Sequence, residues 1–140
     1  MIHFFAQGVP RGQPRPRAFS FHGHARVYDV GTAEGWKAQI ALAAKPHRPE
    51  TPIPGPISLT LSFEMPRPKN HFRSGKRASE LREGAPGWHT GKPDCDNLSK
   101  AVMDALTTIG MWPDDSQICS LSVSKIYGPI TGVSVSIEEL

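Results

Sequence analysis

Cysteine is scarce in this 140-residue chain, and a long apolar run is absent. Cys95 and Cys119 form neither a disulfide framework nor a metal-binding spacing, so a reducing cytoplasm is the expected setting. No apolar stretch approaches the roughly 18 residues that a membrane span requires, and residues 1–6 lack the basic start of a signal peptide. Hydrophobic residues make up 38% of the chain, which predicts a globular fold rather than disorder.

Acidic residues are missing from the start of the chain, where Asp29 is the first. Residues 1–92 hold 14 Lys or Arg against 6 Asp or Glu, a balance of +8, whereas residues 93–140 hold 2 against 7, a balance of −5. A basic body can bind a polyanion through phosphate contacts and counterion release. A nuclease uses both parts, because positive charge holds the DNA backbone and carboxylates hold the metal ion that assists cleavage.

Hydrophobic patterning predicts a single α+β domain over residues 1–140. Strands are predicted at residues 2–6, 57–65, 118–127 and 133–138, and helices at about 32–44 and 96–108. In the third strand Cys119, Leu121 and Val123 form the side expected to pack inward, and residues 128–132 suit a hairpin with a longer loop. These elements predict a small mixed four-stranded sheet with two helices packed on one of its faces.

Two irregular segments carry much of the positive charge. The proline-rich residues 8–17 hold Arg11, Arg15 and Arg17 in an extended spacing that suits phosphate contacts. Residues 66–88 form a long loop, and a loop of this length in a small domain is usually functional or disordered. Its candidate DNA contacts are Arg67, Lys69, Arg73, Lys76 and Arg77.

Aspartates cluster around the second predicted helix. Asp96 is a natural N-cap for that helix, and Asp94 lies on the approach to it. Lys100 follows Asp96 by one helical turn on the same face. Asp114 and Asp115 form a second acidic pair just before the next strand. Carboxylates at such junctions can face one point in space, although the sequence does not show whether the two pairs meet.

Two interpretations of these aspartates are open. Phosphodiester hydrolysis requires a hard cation with oxygen ligands, which Asp94, Asp96 and Asp115 would provide while Lys100 stabilises developing charge. In the alternative interpretation these residues have structural roles only: Asp96 caps the helix, Lys100 forms a surface ion pair, and the second acidic pair belongs to a turn. The chemistry of the residues alone does not decide between them.

A family resemblance adds weight to the first interpretation. The chain resembles the RusA family of Holliday-junction resolvases, common in phages and prophages, in the motifs KPDCDNLSK (92–100), DAL (104–106) and DDSQ (114–117) with Gly110 between the last two. GQPRPR (12–17), RVYD (26–29) and HT (89–90) look like phage-borne members. The resemblance implies a dimeric endonuclease that makes paired nicks in four-way DNA junctions during recombination and repair. The implied metal cofactor is Mg²⁺, with Mn²⁺ as the alternative.

Residue roles follow from that resemblance by matching position. Asp94, Asp96 and Asp115 would be the metal-binding and catalytic carboxylates, Lys100 the catalytic lysine, and Asp114 a supporting neighbour. His89 could carry a proton near the scissile phosphate or make only a structural hydrogen bond.

Partners and rival functions complete the sequence-based hypothesis. Symmetric cutting of two strands calls for two sites, hence an isologous homodimer acting on branched DNA in the cytoplasm of a bacterium or phage-infected host. The rival functions are a metal nuclease for flaps, forks or plain duplex, and a non-catalytic DNA-binding protein.

Overall fold

The computed structural model describes residues 1–13 and 33–140 in full, and the backbone of residues 16–21 and 24–29. Its helices are α1 (Glu34–Ala44) and α2 (Cys95–Thr108). Its strands are β1 (Ile2–Gln7), β2 (Pro16–Phe21), β3 (His24–Asp29), β4 (Ile57–Met65), β5 (Ile118–Tyr127) and β6 (Gly132–Glu139). Short 3-10 turns occupy residues 45–47, 69–71, 75–77 and 115–117.

The main sheet has four strands in the order β1-β6-β4-β5. β1 and β4 both pair antiparallel with β6, whereas β4 and β5 pair parallel, so the sheet is mixed. Its apolar residues and those of α1 and α2 form one buried core. The α+β prediction with a mixed four-stranded sheet and two helices is therefore confirmed.

β2 and β3 form a separate two-stranded antiparallel sheet that the sequence analysis did not predict. β2 begins at Pro16, within the proline-rich segment 8–17. Proline is tolerated at the first residue of a strand because no ladder N–H is needed at that position.

The hairpin predicted at residues 128–132 is wrong, because β5 and β6 are not neighbours. β6 lies on the other side of β4, so the connection crosses the end of that strand. The Gly128 N–H donates to the Met65 carbonyl at 3.0 Å as the chain passes. β4 has five fully buried positions in alternation, so it takes the centre of the sheet and is paired on both sides.

α2 packs its apolar face onto the sheet and ends in a well-defined cap. The Gly110 N–H donates to the Thr107 carbonyl and the Met111 N–H to the Leu106 carbonyl, both at 3.0 Å, which is a Schellman motif. Gly110 has φ +82°, a conformation that glycine adopts without a side-chain clash. Gly110 therefore ends α2, and the buried Trp112 follows two residues later.

β5 is less buried than its pattern predicted. Leu121 and Val123 pair with the buried Leu59 and Leu61 and share their face of the sheet, as predicted, yet Leu121 is 44% exposed and Val123 is half-buried. Cys119 is exposed and lies at a shift in the β4–β5 register. The low burial of these residues follows from the position of β5. It is an edge strand of the main sheet, and the start of α2 lies near the carboxyl end of β5 only. The first half of β5 therefore keeps its apolar side chains in contact with solvent.

Candidate active site

The Asp94–Asp96 pair lies at the amino end of α2. Asp94 is the N-cap residue, with an extended backbone (φ −73°, ψ 156°), and its carbonyl accepts from the Leu98 N–H at 3.0 Å. Asp96 lies in the first turn, so its prediction as N-cap is wrong by two residues. Both side chains are exposed, and the positive end of the helix dipole favours negative charge at this point.

Lys100 continues the same flank of α2 one turn further on, and its side chain is exposed. The next acidic residue, Asp104, has a different role, because its Oδ2 accepts from Lys37 Nζ of α1 at 2.7 Å. Asp104 thus joins the two helices, while Asp94, Asp96 and Lys100 are the candidate functional residues of this flank.

Lys125 anchors the loop that leads into α2, a role that the sequence analysis missed. Its ammonium donates to the Pro93 carbonyl at 2.8 Å and to the Gly91 carbonyl. Its own carbonyl accepts from the His89 N–H at 3.3 Å. One feature could have indicated this role. Lys125 is a charged residue that pairs with the buried Phe63, so it lies on the apolar face of the sheet, where a charge needs polar partners.

The segment 11–13 crosses the start of α2. The Gln13 N–H donates to the Asn97 carbonyl at 2.9 Å. A Cβ atom on Gly12 would lie 3.0 Å from the Asn97 Cβ and 3.3 Å from the Pro93 Cβ, so glycine permits this close contact. The exposed Arg11 is thereby held at the same end of α2 as Asp94. Arg15 and the side chain of Arg17 lie outside the described residues.

His89 lies beside this end of α2 with its ring against Tyr127, the ring centroids 4.9 Å apart. Burial, and then the charge of Lys125, lower the pKa of His89 below its usual 6.5, so the ring is neutral at pH 7. Its buried Nδ1 has no hydrogen-bond partner within the fully described part of the chain. A neutral imidazole of this kind can accept a proton.

The basic loop 66–88 is organised rather than extended. Arg67 Nη1 donates to the Pro86 carbonyl at 2.7 Å, and its guanidinium lies 5.3 Å from the centre of the Tyr127 ring. Arg67 therefore serves to hold the loop against the end of β5. The other predicted DNA contacts of this loop are all exposed, namely Lys69, Arg73, Lys76 and Arg77.

The second acidic pair forms a rigid turn at the start of β5. The Asp114 side chain accepts from the Ser116 N–H at 2.9 Å, which lowers the pKa of Asp114. Gln117 Oε1 accepts from the Asp114 N–H, and Gln117 Nε2 donates to the Ile53 carbonyl at 2.7 Å. Asp114 is therefore a capping residue, and Asp115 is half-buried beside it.

The two acidic pairs lie at opposite ends of α2 within one chain. Asp115 precedes Ile118, whereas the approach to Asp94 is bonded to Lys125, seven residues further along β5, which is about 23 Å at the usual rise per residue. The fully described residues contain no group of three His, Cys, Asp or Glu that could hold a metal ion. The structure thus places Asp94, Asp96, Lys100 and His89 at one end, and Asp114 and Asp115 at the other.

The donor set at the first end suits a hard divalent cation. Asp94 and Asp96 offer carboxylate oxygens, and the exposed Lys100 and Arg11 offer positive charge for a phosphate. An α+β domain with such an end fits the metal-dependent nucleases as a class.

Comparison with known proteins gives the family. The model of the endodeoxyribonuclease RusA family matches residues 7–138, and the chain belongs to that family. An uncharacterized Bacillus subtilis protein, YqaN, is 38% identical over 139 residues, 99% of this chain and 96% of its own length. The crossover junction endodeoxyribonuclease of Lactococcus phage r1t is 36% identical over 141 residues, 99% and 97% of the two chains.

A third relative matches more locally. The Escherichia coli K12 crossover junction endodeoxyribonuclease RusA is 50% identical over 38 residues, 27% of this chain and 30% of that protein.

Neither the length nor the apolar content of any helix in the described residues suffices for a membrane span.

Proposed function

We propose that this protein resolves four-way DNA junctions as a homodimer, by paired hydrolysis of phosphodiester bonds with Mg²⁺ or Mn²⁺. The observation that carries the proposal is the family match over residues 7–138, together with a phage relative named crossover junction endodeoxyribonuclease that is similar over nearly its whole length. The exposed carboxylate pair at the start of α2 gives that activity a chemical basis.

The carboxylates of Asp94 and Asp96 would hold the metal ion. When bound, the ion neutralises charge on the phosphate and lowers the pKa of the attacking water. Lys100 then donates to the phosphate oxygens as negative charge develops there. Lys125 holds the loop that carries Asp94, and the neutral His89 ring is placed to accept a proton.

Asp115 would join this site from a second subunit, because about 23 Å of β5 lies between the Asp115 turn and Lys125, which bonds to the Asp94 loop in the same chain. A two-fold dimer would supply one Asp115 to each of two sites. Two sites in one particle match the chemistry of junction resolution, which requires a cut in each of two strands.

DNA would be held by the positive residues around this end of α2. Arg11 lies on the segment that crosses the helix start, and the loop 66–88 offers four exposed cations. Such contacts bind backbone phosphates without reading sequence, so they suit a substrate recognised by shape.

A cleavage assay tests the proposal. We expect nicking of a synthetic four-way junction with Mg²⁺, loss of nicking with EDTA, and much weaker cutting of a linear duplex of the same sequence. Equal cutting of the duplex would favour a general nuclease, and equal cutting of forks or flaps would favour a broader branched substrate.

Asp96→Asn should bind the junction normally and cut it at least about 100-fold more slowly, because a carboxylate ligand is lost. Asp104→Asn is the matched control on the same helix, and it should cut at the wild-type rate because Asp104 pairs with Lys37. Normal cutting by Asp96→Asn would show that the site is assigned wrongly.

A further inference from the structure

We infer that the cavity between the basic loop 66–88 and residues 128–131, called the loop cavity below, binds an unpaired nucleobase of the DNA substrate. The choice of DNA as the ligand rests on the proposed function, whereas the base-binding role rests on the walls, charge and position of the cavity. Its volume is about 400 Å³, which lies within the usual range for pockets that bind small ligands.

The loop cavity lies beyond the carboxyl ends of two parallel strands. β4 ends at Met65 and β5 ends at Tyr127, and these two residues are paired. The chain therefore leaves both strands at the same edge of the sheet, and residues 66–67 and 128–129 form neighbouring walls. A crevice outside the carboxyl ends of parallel strands is a common place for a ligand to bind.

A bridge within the basic loop forms the third wall. Phe72 and Leu81 pair antiparallel, and the Arg82 N–H donates to the His71 carbonyl at 2.9 Å beside them. Residues directly opposite in an antiparallel pair place their side chains on the same side, and both Phe72 and Leu81 line the cavity. Backbone hydrogen bonds thus hold this wall in place before any ligand binds.

The lining of the loop cavity suits the apolar faces and the polar edge of a base. Unpaired bases bind to proteins by stacking on aromatic rings or guanidinium planes and by hydrogen bonds to their edges. Arg67 and Ser79 supply polar groups to the cavity. Its apolar walls are Pro66, Phe72, Leu81 and Pro129.

The charge around the cavity favours a nucleic acid over an apolar peptide segment. Residues 66–88 hold six Lys or Arg against two Glu, a balance of +4. Glu80 lies 3.9 Å from Arg73 and 3.6 Å from Arg77, so it offsets only part of this charge. Lys69 and Lys76 are exposed on the same loop and are available to phosphates on either side of a bound base.

The loop cavity adjoins the candidate active site. The Arg67 guanidinium lies 5.3 Å from the centre of the Tyr127 ring, and the His89 ring lies 4.9 Å from that centre, so Arg67 is within about 10 Å of His89. This distance corresponds to about three stacked nucleotides of one strand. Moving a base out of a duplex costs least where it is already unpaired, so the cavity favours branched DNA over a linear duplex.

Two single-stranded oligonucleotides of equal length test the cavity without any cleavage. One carries all its bases and the other is abasic throughout, so both present the same phosphates. In EDTA, we expect fluorescence anisotropy to show about 5- to 100-fold weaker binding of the abasic strand, the equivalent of one stacked base. The dependence of affinity on salt should be the same for both strands, because their phosphate contacts are the same. Equal affinity for the two strands would overturn the inference.

Variants at neighbouring positions show whether the loop cavity is the source of this difference. Ser79→Phe fills the cavity and should bring the two affinities within about 2-fold of each other, because a base can no longer stack there. Ala78→Phe is the matched control, since Ala78 is exposed beside Ser79, and it should keep the wild-type ratio. Leu81→Ala removes a wall instead of adding bulk, and it should also reduce the ratio. A wild-type ratio in both Ser79→Phe and Leu81→Ala would overturn the inference.

Failure of this inference and failure of the proposed function are distinguishable. A protein that nicks four-way junctions with Mg²⁺ but binds both strands equally has the proposed function without a base-binding cavity. A protein that prefers the strand with bases, and loses that preference in Ser79→Phe, has the cavity even if it nicks no junction.

Discussion

Replacing Lys125 with methionine tests whether this residue positions the loop that leads into Asp94. The substitution keeps most of the side-chain volume and removes the ammonium that donates to the Gly91 and Pro93 carbonyls. A hydrogen bond to a charged group contributes roughly 1.5–3 kcal/mol. Because Lys125 is half-buried and water can replace part of this interaction, we expect the free energy of unfolding to fall by about 1.5–3 kcal/mol for both bonds together.

The Mg²⁺ dependence of junction nicking should report the loss of Lys125 more specifically than the free energy of unfolding does. A residue that orients a metal-binding loop typically affects metal affinity or rate by about 10- to 100-fold, so the Mg²⁺ concentration for half-maximal nicking should rise by about this factor. Urea unfolding and junction nicking against Mg²⁺ concentration measure the two effects. Lys45→Met is the control, since Lys45 is exposed directly after α1 and has no proposed role in the site or in DNA binding. An unchanged Mg²⁺ dependence in Lys125→Met would refute the positioning role.

Two further predictions concern stability. Gly132→Ala should lower the free energy of unfolding by more than about 2 kcal/mol in urea. The reason is that Gly132 has φ +154° and an added Cβ would lie 2.2 Å from the Ala6 carbonyl oxygen. Gly35→Ala is the control and should not destabilise the fold, because an added Cβ at Gly35 meets open space. The lowered pKa of His89 means that folding disfavours its protonation, so its contribution to stability is present above pH 6.5 and is lost as the pH falls through the folded-state pKa. His89→Gln should flatten the pH dependence of unfolding below pH 6.5, and an unchanged slope would contradict this account.

Local patterns predicted the elements on which the site is built. α2 was recognisable because its apolar residues share one face and Gly110 ends it, and both features act within a few residues of chain. β4 was equally clear from its alternation. The start of α2 was less certain, because aspartates at both 94 and 96 can occupy an N-cap position, and the contacts of the preceding loop with Lys125 were not visible in the sequence.

Pairings between distant segments could not be predicted in the same way. The connection at residues 128–132 has the composition of a hairpin, yet β6 pairs with β1 and β4, because the fully buried β4 takes the centre of the sheet. The exposure of Leu121 has the same origin, since alternation marks a strand with one apolar face but does not show whether a helix covers that face.

The sequence by itself indicated the family and the candidate residues, because these depend on residue types at short, fixed spacings. Only the tertiary structure decided where those residues lie. α2 begins beside the end of β5 and the acidic turn lies at its start, so Asp94 and Asp115 are separated by the length of a strand. That separation reflects the 14-residue α2 between the two acidic pairs, about 21 Å long at the usual rise per residue, whereas the contact of the α2 start with Lys125 joins segments about 30 residues apart that no local pattern encodes.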